Sequence, residues 1–234
     1  MNTRAIFLDY DNTVNDSDGL FSHSFEGFCG QPGKKLWTEY TRLHDEVVHR
    51  RFPQHHEDID FHLALLLKGL GRADEPVLMA DARQRLLKAR DEIIHAKALY
   101  KDAIPFVEHA VSAGYSVCLT TGDFAKEKAH SVEQISGRKL FSYVFDMGNL
   151  GVDKGDAEYF PRVLGTTGVL PENACVVGDS PVRDIAPAKV LGIKALWVAR
   201  NGDAYPRDAV RPDYSVRTLS QAWEVLSQAF DGVS

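Results

Sequence analysis

The segment AIFLDYDNT, residues 5–13, runs four apolar residues directly into Asp9, Tyr10, Asp11, Asn12 and Thr13. An apolar run of that length is too short for a helix and reads as a buried strand. Side chains alternate in extended backbone, so Asp9 and Asp11, two residues apart, point to the same side. Two acids at the exit of a buried strand are either a turn cluster, since Asp and Asn are common turn residues, or one wall of a site. The rest of the chain has to decide between these.

Further strands of the same kind are expected over Tyr115–Leu119, Tyr143–Phe145, Ala174–Val177 and Ile193–Val198, with a last extended piece at Tyr214–Val216. From Lys101 onward they alternate with helical patterns, at Ile104–Ala113, Phe124–Ile135, Ala157–Leu164, Ile185–Leu191 and about Ser220–Phe230. Gly114 and Gly192 mark two of the stops. This order predicts an α/β fold, a doubly wound parallel sheet with helices on both faces. The interval from Asn15 to Tyr100 has no clear strand and exceeds any ordinary crossover. Helical spacing recurs there in Leu36, Tyr40, Leu43 and Val47, in Leu63, Leu66, Leu67 and Leu70, and in Met79, Ala82, Leu86, Ala89 and Ile93. Phe21, Phe25 and Phe28 suggest one face of a first helix, and Asp74 is a plausible N-cap. The expected organisation is a core of residues 1–14 and 101–234 with an all-helical module, 15–100, inserted after the first strand.

Composition narrows the function. The 234 residues carry 27 Lys and Arg against 33 Asp and Glu, a formal charge of -6, with no basic run suited to a nucleic-acid polymer. No apolar stretch nears the roughly 20 residues of a membrane span, and no signal-type segment opens the chain. A soluble, cytoplasmic protein is expected. Cys29, Cys118 and Cys175 are far apart and lack metal-ligand spacing. Of the 9 histidines, His23, His44, His49, His55, His56, His62 and His95 fall in the insert without HxxH or HxxxH spacing, so they are expected to be solvated or interfacial. His49, Arg50 and Arg51 read as a solvated helix end. GQPGKK at 30–35 fails the phosphate-loop pattern and follows no strand.

Three other strand exits carry polar groups. Thr120, Thr121 and Gly122 follow the second strand. Gly178, Asp179 and Ser180, with Asp184, follow the fourth, and Lys154 lies between them. Hydroxyls, an ammonium and carboxylates converging on Asp9 and Asp11 suit phosphoryl transfer, which needs a nucleophile, a cation and donors aimed at phosphoryl oxygens. Clustered carboxylates call for a hard cation, and oxygen-only ligands favour Mg²⁺.

DYDNT at 9–13, LTTG at 119–122, Lys154 and VVGDSPVRDI at 176–185, in this order, resemble the four motifs of the haloacid dehalogenase-like superfamily. The insert is similar to that family's C1-type helical cap. The resemblance implies that Asp9 is the nucleophile forming an aspartyl-phosphate and Asp11 the acid and then the base. It implies that the Asp11 backbone carbonyl, Asp9 and Asp179 hold Mg²⁺ with Asp184, and that Thr120, Thr121 and Lys154 bind phosphate. Thr121 stands where many members carry Asn, and Gly155 where Pro is usual. An acid two residues after the nucleophile favours phosphate esters over organohalides. The expected activity is Mg²⁺-dependent hydrolysis of a small phosphorylated metabolite under a closing cap. A phosphomutase of the same superfamily and a non-catalytic binding module are the alternatives. Oligomeric state is not legible.

Overall fold

The computed structural model describes residues 4–231 except 56, 57, 74 and 203, and at 45, 49, 53 and 229–231 the backbone alone. Asp74, His56 and the side chain of His49 therefore lie outside the described residues. The strands are β1 (Ala5–Asp9), β2 (Ser116–Thr120), β3 (Tyr143–Phe145), β4 (Ala174–Gly178), β5 (Lys194–Val198) and β6 (Tyr214–Val216). The principal helices are α1 (Ser17–Ser24), α2 (Gly33–Arg42), α3 (Ile59–Gly69), α4 (Pro76–Ile94), α5 (Ala103–Ser112), α6 (Ala125–Ser136), α7 (Tyr159–Thr167), α8 (Ala186–Val190) and α9 (Leu219–Asp231). None is long and apolar enough to cross a membrane. The chain divides into two compact units, Met1–Asn15 with Ile94–Ser234, and Asp16–Ile93.

The first unit is a six-stranded, all-parallel sheet in the order β3-β2-β1-β4-β5-β6. Its central strands are buried on both faces, which is why they read as continuous apolar runs rather than alternating ones. On one face Ala5, Phe7, Cys118, Val176 and Ala195 pack with Tyr159, Phe160 and Val163 of α7 and Ala188 of α8. On the other, α5 and α9 pack together, with α5 on β2 and α9 on β5. Each fully buried Leu, Ile or Phe contributes roughly 1.5–3 kcal/mol. From β1 the chain winds to β2 and β3 on one side and resumes at β4 on the other. The strand order thus reverses between β1 and β4, the place where ligands bind in open α/β sheets.

Where the chain leaves and rejoins this unit, Arg200 holds both crossings. Its Nη2 and Nε donate to the Thr13 carbonyl at 2.7 and 3.2 Å, Nη1 pairs with Asp102 at 2.9 Å, and its guanidinium lies 4.0 Å over the Tyr100 ring. The Asn15 side chain accepts from the Ala98 N–H at 3.1 Å.

The second unit is helical, with a core of Phe25, Phe28, Leu36, Leu63, Leu66 and Leu86 among others. Helix α1 begins at Asp16, whose carboxylate accepts from the Gly19 N–H at 3.0 Å, an N-cap. It ends at Ser24, so Phe25 and Phe28 lie beyond it rather than on the expected helical face, yet both are buried. The expected helix through Val47 instead widens into π-helical turns over Leu43–Val48. Gly33, within GQPGKK, is a packing residue. A Cβ there would sit 1.8 Å from the Ser22 carbonyl oxygen, so only glycine permits this approach.

Of the two expectations for the insert's histidines, solvated or interfacial, His62 is not the solvated kind. It is 3% exposed, its Nδ1 donates to the Asp58 carbonyl at 2.8 Å, and its Nε2 is 3.2 Å from His44 Nδ1. Eighteen positions separate the two rings, on no common helix, so spacing gave no warning of the pair.

Candidate active site

Asp9 is the last residue of β1 and faces Thr120, the last of β2, in the parallel register. Beyond Asp9 the backbone turns back, with the N–H groups of Val14 and Asn15 both donating to the Tyr10 carbonyl and Asn12 at φ 57°. Tyr10 between them is buried, and the Asp11 charge is close enough to act on the Asp9 carboxyl. Asp9 is 5% exposed and its Oδ2 makes no hydrogen bond among the described residues. Thr120, fully buried, likewise has a hydroxyl without a hydrogen-bond partner.

Lys154 enters the same place from the segment before α7. Its ammonium donates to Asp9 Oδ1 and, at 3.0 Å, to the Thr120 carbonyl, and it lies 2.7 Å from Asp184 Oδ1. Burial alone would lower its pKa. The charges of Asp184 and Asp9 outweigh that and hold it protonated. The Asp9 carboxyl is pushed up to about 7, first by burial, against the pull of Lys154 and with Asp184 and Asp11 adding to the rise. Below the strand ends, Tyr159 donates to the carbonyls of Phe145 at 2.9 Å and Thr121 at 3.2 Å.

Asp184 reaches the site because the turn after β4 is short and its side chain folds back. Its Oδ2 accepts from the Ser180 N–H at 3.0 Å, and its carboxylate lies against the Cα of Gly178. Ser180 caps the following turn through the Arg183 N–H at 3.1 Å. The Asp179 carbonyl accepts from Trp197 Nε1 at 2.6 Å, tying the same loop to β5.

Asp9, Asp179 and Asp184 each offer a carboxylate oxygen within 4.8 Å of one another. Three carboxylates and one ammonium leave this set negative, and one buried oxygen of Asp9 has no hydrogen-bond partner. An all-oxygen set with surplus negative charge fits a hard divalent cation and disfavours softer metals.

Asp11 belongs to a separate network. Its Oδ2 accepts from Lys128 Nζ at 2.9 Å and from the Thr121 hydroxyl at 3.1 Å, while Lys128 also donates to Thr121 Oγ1 at 2.9 Å and Asp123 Oδ1 at 3.0 Å. The Thr121 hydroxyl, expected beside Thr120 on phosphate, is thus engaged with Asp11 and Lys128. Lys128 was not among the residues singled out from the sequence. A signal was present: Ala125, Lys128, Ala129 and Val132 follow the buried stripe of α6, and a lysine on that stripe requires partners. The seven residues expected at the site, Asp9, Asp11, Thr120, Thr121, Lys154, Asp179 and Asp184, all lie at the carboxyl ends of β1, β2 and β4 or in contact with residues there.

The haloacid dehalogenase-like hydrolase family model matches residues 3–192. Over 234 residues the chain is 27% identical to the glyceraldehyde 3-phosphate phosphatase of Methanopyrus kandleri, covering 96% of this chain and 97% of that one. It is 31% identical over 126 residues to the phosphoserine phosphatase of Thermus thermophilus, covering 53% of this chain and half of that enzyme's length. Among solved structures, the putative HAD-hydrolase YfnB from Bacillus subtilis, bound to magnesium, superposes with a TM-score of 0.69 at 19% identity, covering 97% and 99% of the two chains. L-2-haloacid dehalogenase from Xanthobacter autotrophicus gives 0.70 at 17%, covering 99% and 100%. At such identities the superpositions speak for the fold alone. With the fold, the four motif segments and the match over most of its length in agreement, the chain belongs to the haloacid dehalogenase-like hydrolase family.

Proposed function

We propose that this hydrolase is a phosphatase that cleaves a small phosphomonoester through an aspartyl-phosphate on Asp9. The observation that carries this is the buried Asp9 carboxylate at the β1–β4 reversal, with Lys154 on one oxygen and the unsatisfied Thr120 hydroxyl in register beside it. A carboxylate attacks phosphorus only when the phosphoryl charge is offset and its oxygens find donors. Lys154 supplies charge and Thr120 a donor. Asp9, Asp179 and Asp184, with the Asp11 backbone carbonyl, would hold Mg²⁺, which when bound offsets the charge of the phosphoryl oxygens and of the carboxylates themselves.

Asp9 forms the new O–P bond as the ester P–O bond breaks. Asp11 delivers its proton to the departing alkoxide, then removes one from the water that attacks the aspartyl-phosphate. Phosphate leaves and the Asp9 carboxylate is restored. Asp11 also separates this reading from dehalogenation, because a halide leaves without a proton. Two of the phosphatase relatives bear the names of a small phosphorylated amino acid and a small phosphorylated aldehyde, which supports a metabolite-sized substrate. Cys118 and Cys175, buried and unpaired, fit the reducing setting of a cytoplasmic enzyme.

The test is phosphate release across phosphorylated three-carbon acids and aldehydes, phosphoserine, sugar phosphates and nucleoside monophosphates, with Mg²⁺, against Asp9→Asn as the blank. Release above the blank from at least one class is expected. Halide release from 2-haloacids exceeding all phosphate release would overturn the assignment.

A further inference from the structure

We propose that Lys128 is a positioning residue for the leaving-group proton: together with Thr121 it holds Oδ2 of Asp11, so that the proton moves on Oδ1. This rests on the role given to Asp11 above. Lys128 is 2% exposed and its ammonium touches three side chains, Asp11, Thr121 and Asp123, and lies 5.0 Å from the centre of the Tyr10 ring. Nothing in the helix itself favours a cation there. Lys128 lies in the first turn or so of α6, close to its N-terminus, where the helix dipole disfavours positive charge. Burying an ammonium is costly as well. Lys126, two residues earlier, takes the solvent side of the same helix. The position is held against both penalties by Asp11 and Asp123.

The helix delivers the lysine accurately. Phe124 turns through φ 51°, the Ala125 N–H donates to Asp146 Oδ2 at 2.8 Å, and the Lys128 N–H closes on the Phe124 carbonyl at 2.9 Å. This fixes the stem over the turn after β2. Thr121 then has a specific use: its hydroxyl accepts from Lys128 and donates to the same Asp11 oxygen. An oxygen that receives two donors does not also carry the transferable proton. In the cleavage step the Asp9–phosphorus bond forms, the ester P–O bond breaks, and the proton passes from Asp11 Oδ1 to the alkoxide. Lys128 touches none of the reacting atoms and acts through Asp11.

The test compares kcat/KM, which reports the cleavage step, for an alkyl phosphate and for 2,4-dinitrophenyl phosphate, whose leaving group needs no proton. Lys128→Met, which keeps the stem, is expected to lower the alkyl value by roughly tenfold or more and the aryl value by less than about threefold. Equal losses on both substrates, or no loss on either, overturn the proposal, since a merely structural lysine would not sort substrates by leaving group. Should Lys128→Met fail to fold, Thr121→Val is measured by the same ratio: a selective alkyl loss supports the positioning role, and equal or absent losses overturn it. Asp11→Asn runs alongside. If it sorts the substrates and the Lys128 and Thr121 variants do not, only the positioning role falls. If Asp11→Asn does not sort them, the acid role of Asp11 falls and this inference with it. In the Asp11→Asn background, Lys128→Met is expected to add no further selective loss.

Discussion

A Cβ on Gly178 would lie 2.4 Å from Oδ2 of Asp184. The last residue of β4 is therefore glycine because a carboxylate from the next turn occupies its side-chain space. Gly178→Ala should displace Asp184 from Lys154 and from the Ser180 N–H. The expected cost is about 1–3 kcal/mol of stability from overpacking. The Mg²⁺ concentration for half-maximal activity should rise about tenfold or more. Urea denaturation and a Mg²⁺ titration of activity measure the two effects. Unchanged Mg²⁺ dependence would mean that Asp184 does not serve the metal.

Asp9→Asn conserves size and removes the carboxylate proposed as nucleophile. Turnover is expected to fall by roughly 10³-fold or more, with the far-ultraviolet circular dichroism unchanged. Wild-type enzyme quenched in acid during turnover of a ³²P-labelled ester should carry label on the protein, and the variant should not. Residual activity within tenfold of wild type would remove Asp9 from the role assigned to it.

Chelation with EDTA is expected to abolish activity, and Mg²⁺ to restore it. A readout independent of turnover follows from the crowding of Asp9, Asp179 and Asp184. A cation that binds the native set and not the unfolded chain raises Tm in proportion to the logarithm of its concentration. The Mg²⁺-dependent rise should shrink in Asp179→Asn. A Tm indifferent to Mg²⁺ in the wild type would contradict a cation site at these residues.

Arg200 and Asp102 give a pH-dependent prediction. Burial alone would raise the Asp102 carboxyl, but the hydrogen bond and charge of Arg200, with the backbone N–H groups of Ser220 and Leu219, outweigh it and hold the carboxyl below the usual carboxylate range. A depressed native pKa contributes stability that is present above the unfolded value, near 4, and is lost as pH falls through the native value. Arg200→Met should cost about 2–3 kcal/mol at pH 7. The gap from wild type should narrow below about pH 4, where protonation of Asp102 removes the pair from the wild type and neutralises the unpaired carboxyl of the variant. It should not close, because the two bonds to the Thr13 carbonyl do not titrate. Urea melts at pH 7 and pH 3 decide this, and a gap that widens in acid would contradict the linkage.

Local pattern determined the sheet and where its chemistry lies. Buried parallel strands must be continuous apolar runs, so Ala5–Asp9, Ser116–Thr120 and Ala174–Gly178 stood out almost to the residue. Polar groups at the ends of such runs must come together once the strands align in parallel, which made Asp9, Thr120 and Asp179 legible in advance. Only the tertiary structure decided which of these groups touch. That Thr121 serves Asp11, that a lysine on the buried stripe of α6 reaches back 117 positions to do the same, and that His44 meets His62 are long-range contacts. They depend on the path of the whole chain and leave no periodic trace near either partner. The ends of α1 and α2 were missed for a related reason. Tertiary packing overrides local helical spacing, so Phe25 and Phe28 stay in the core after the helix that was expected to carry them has ended.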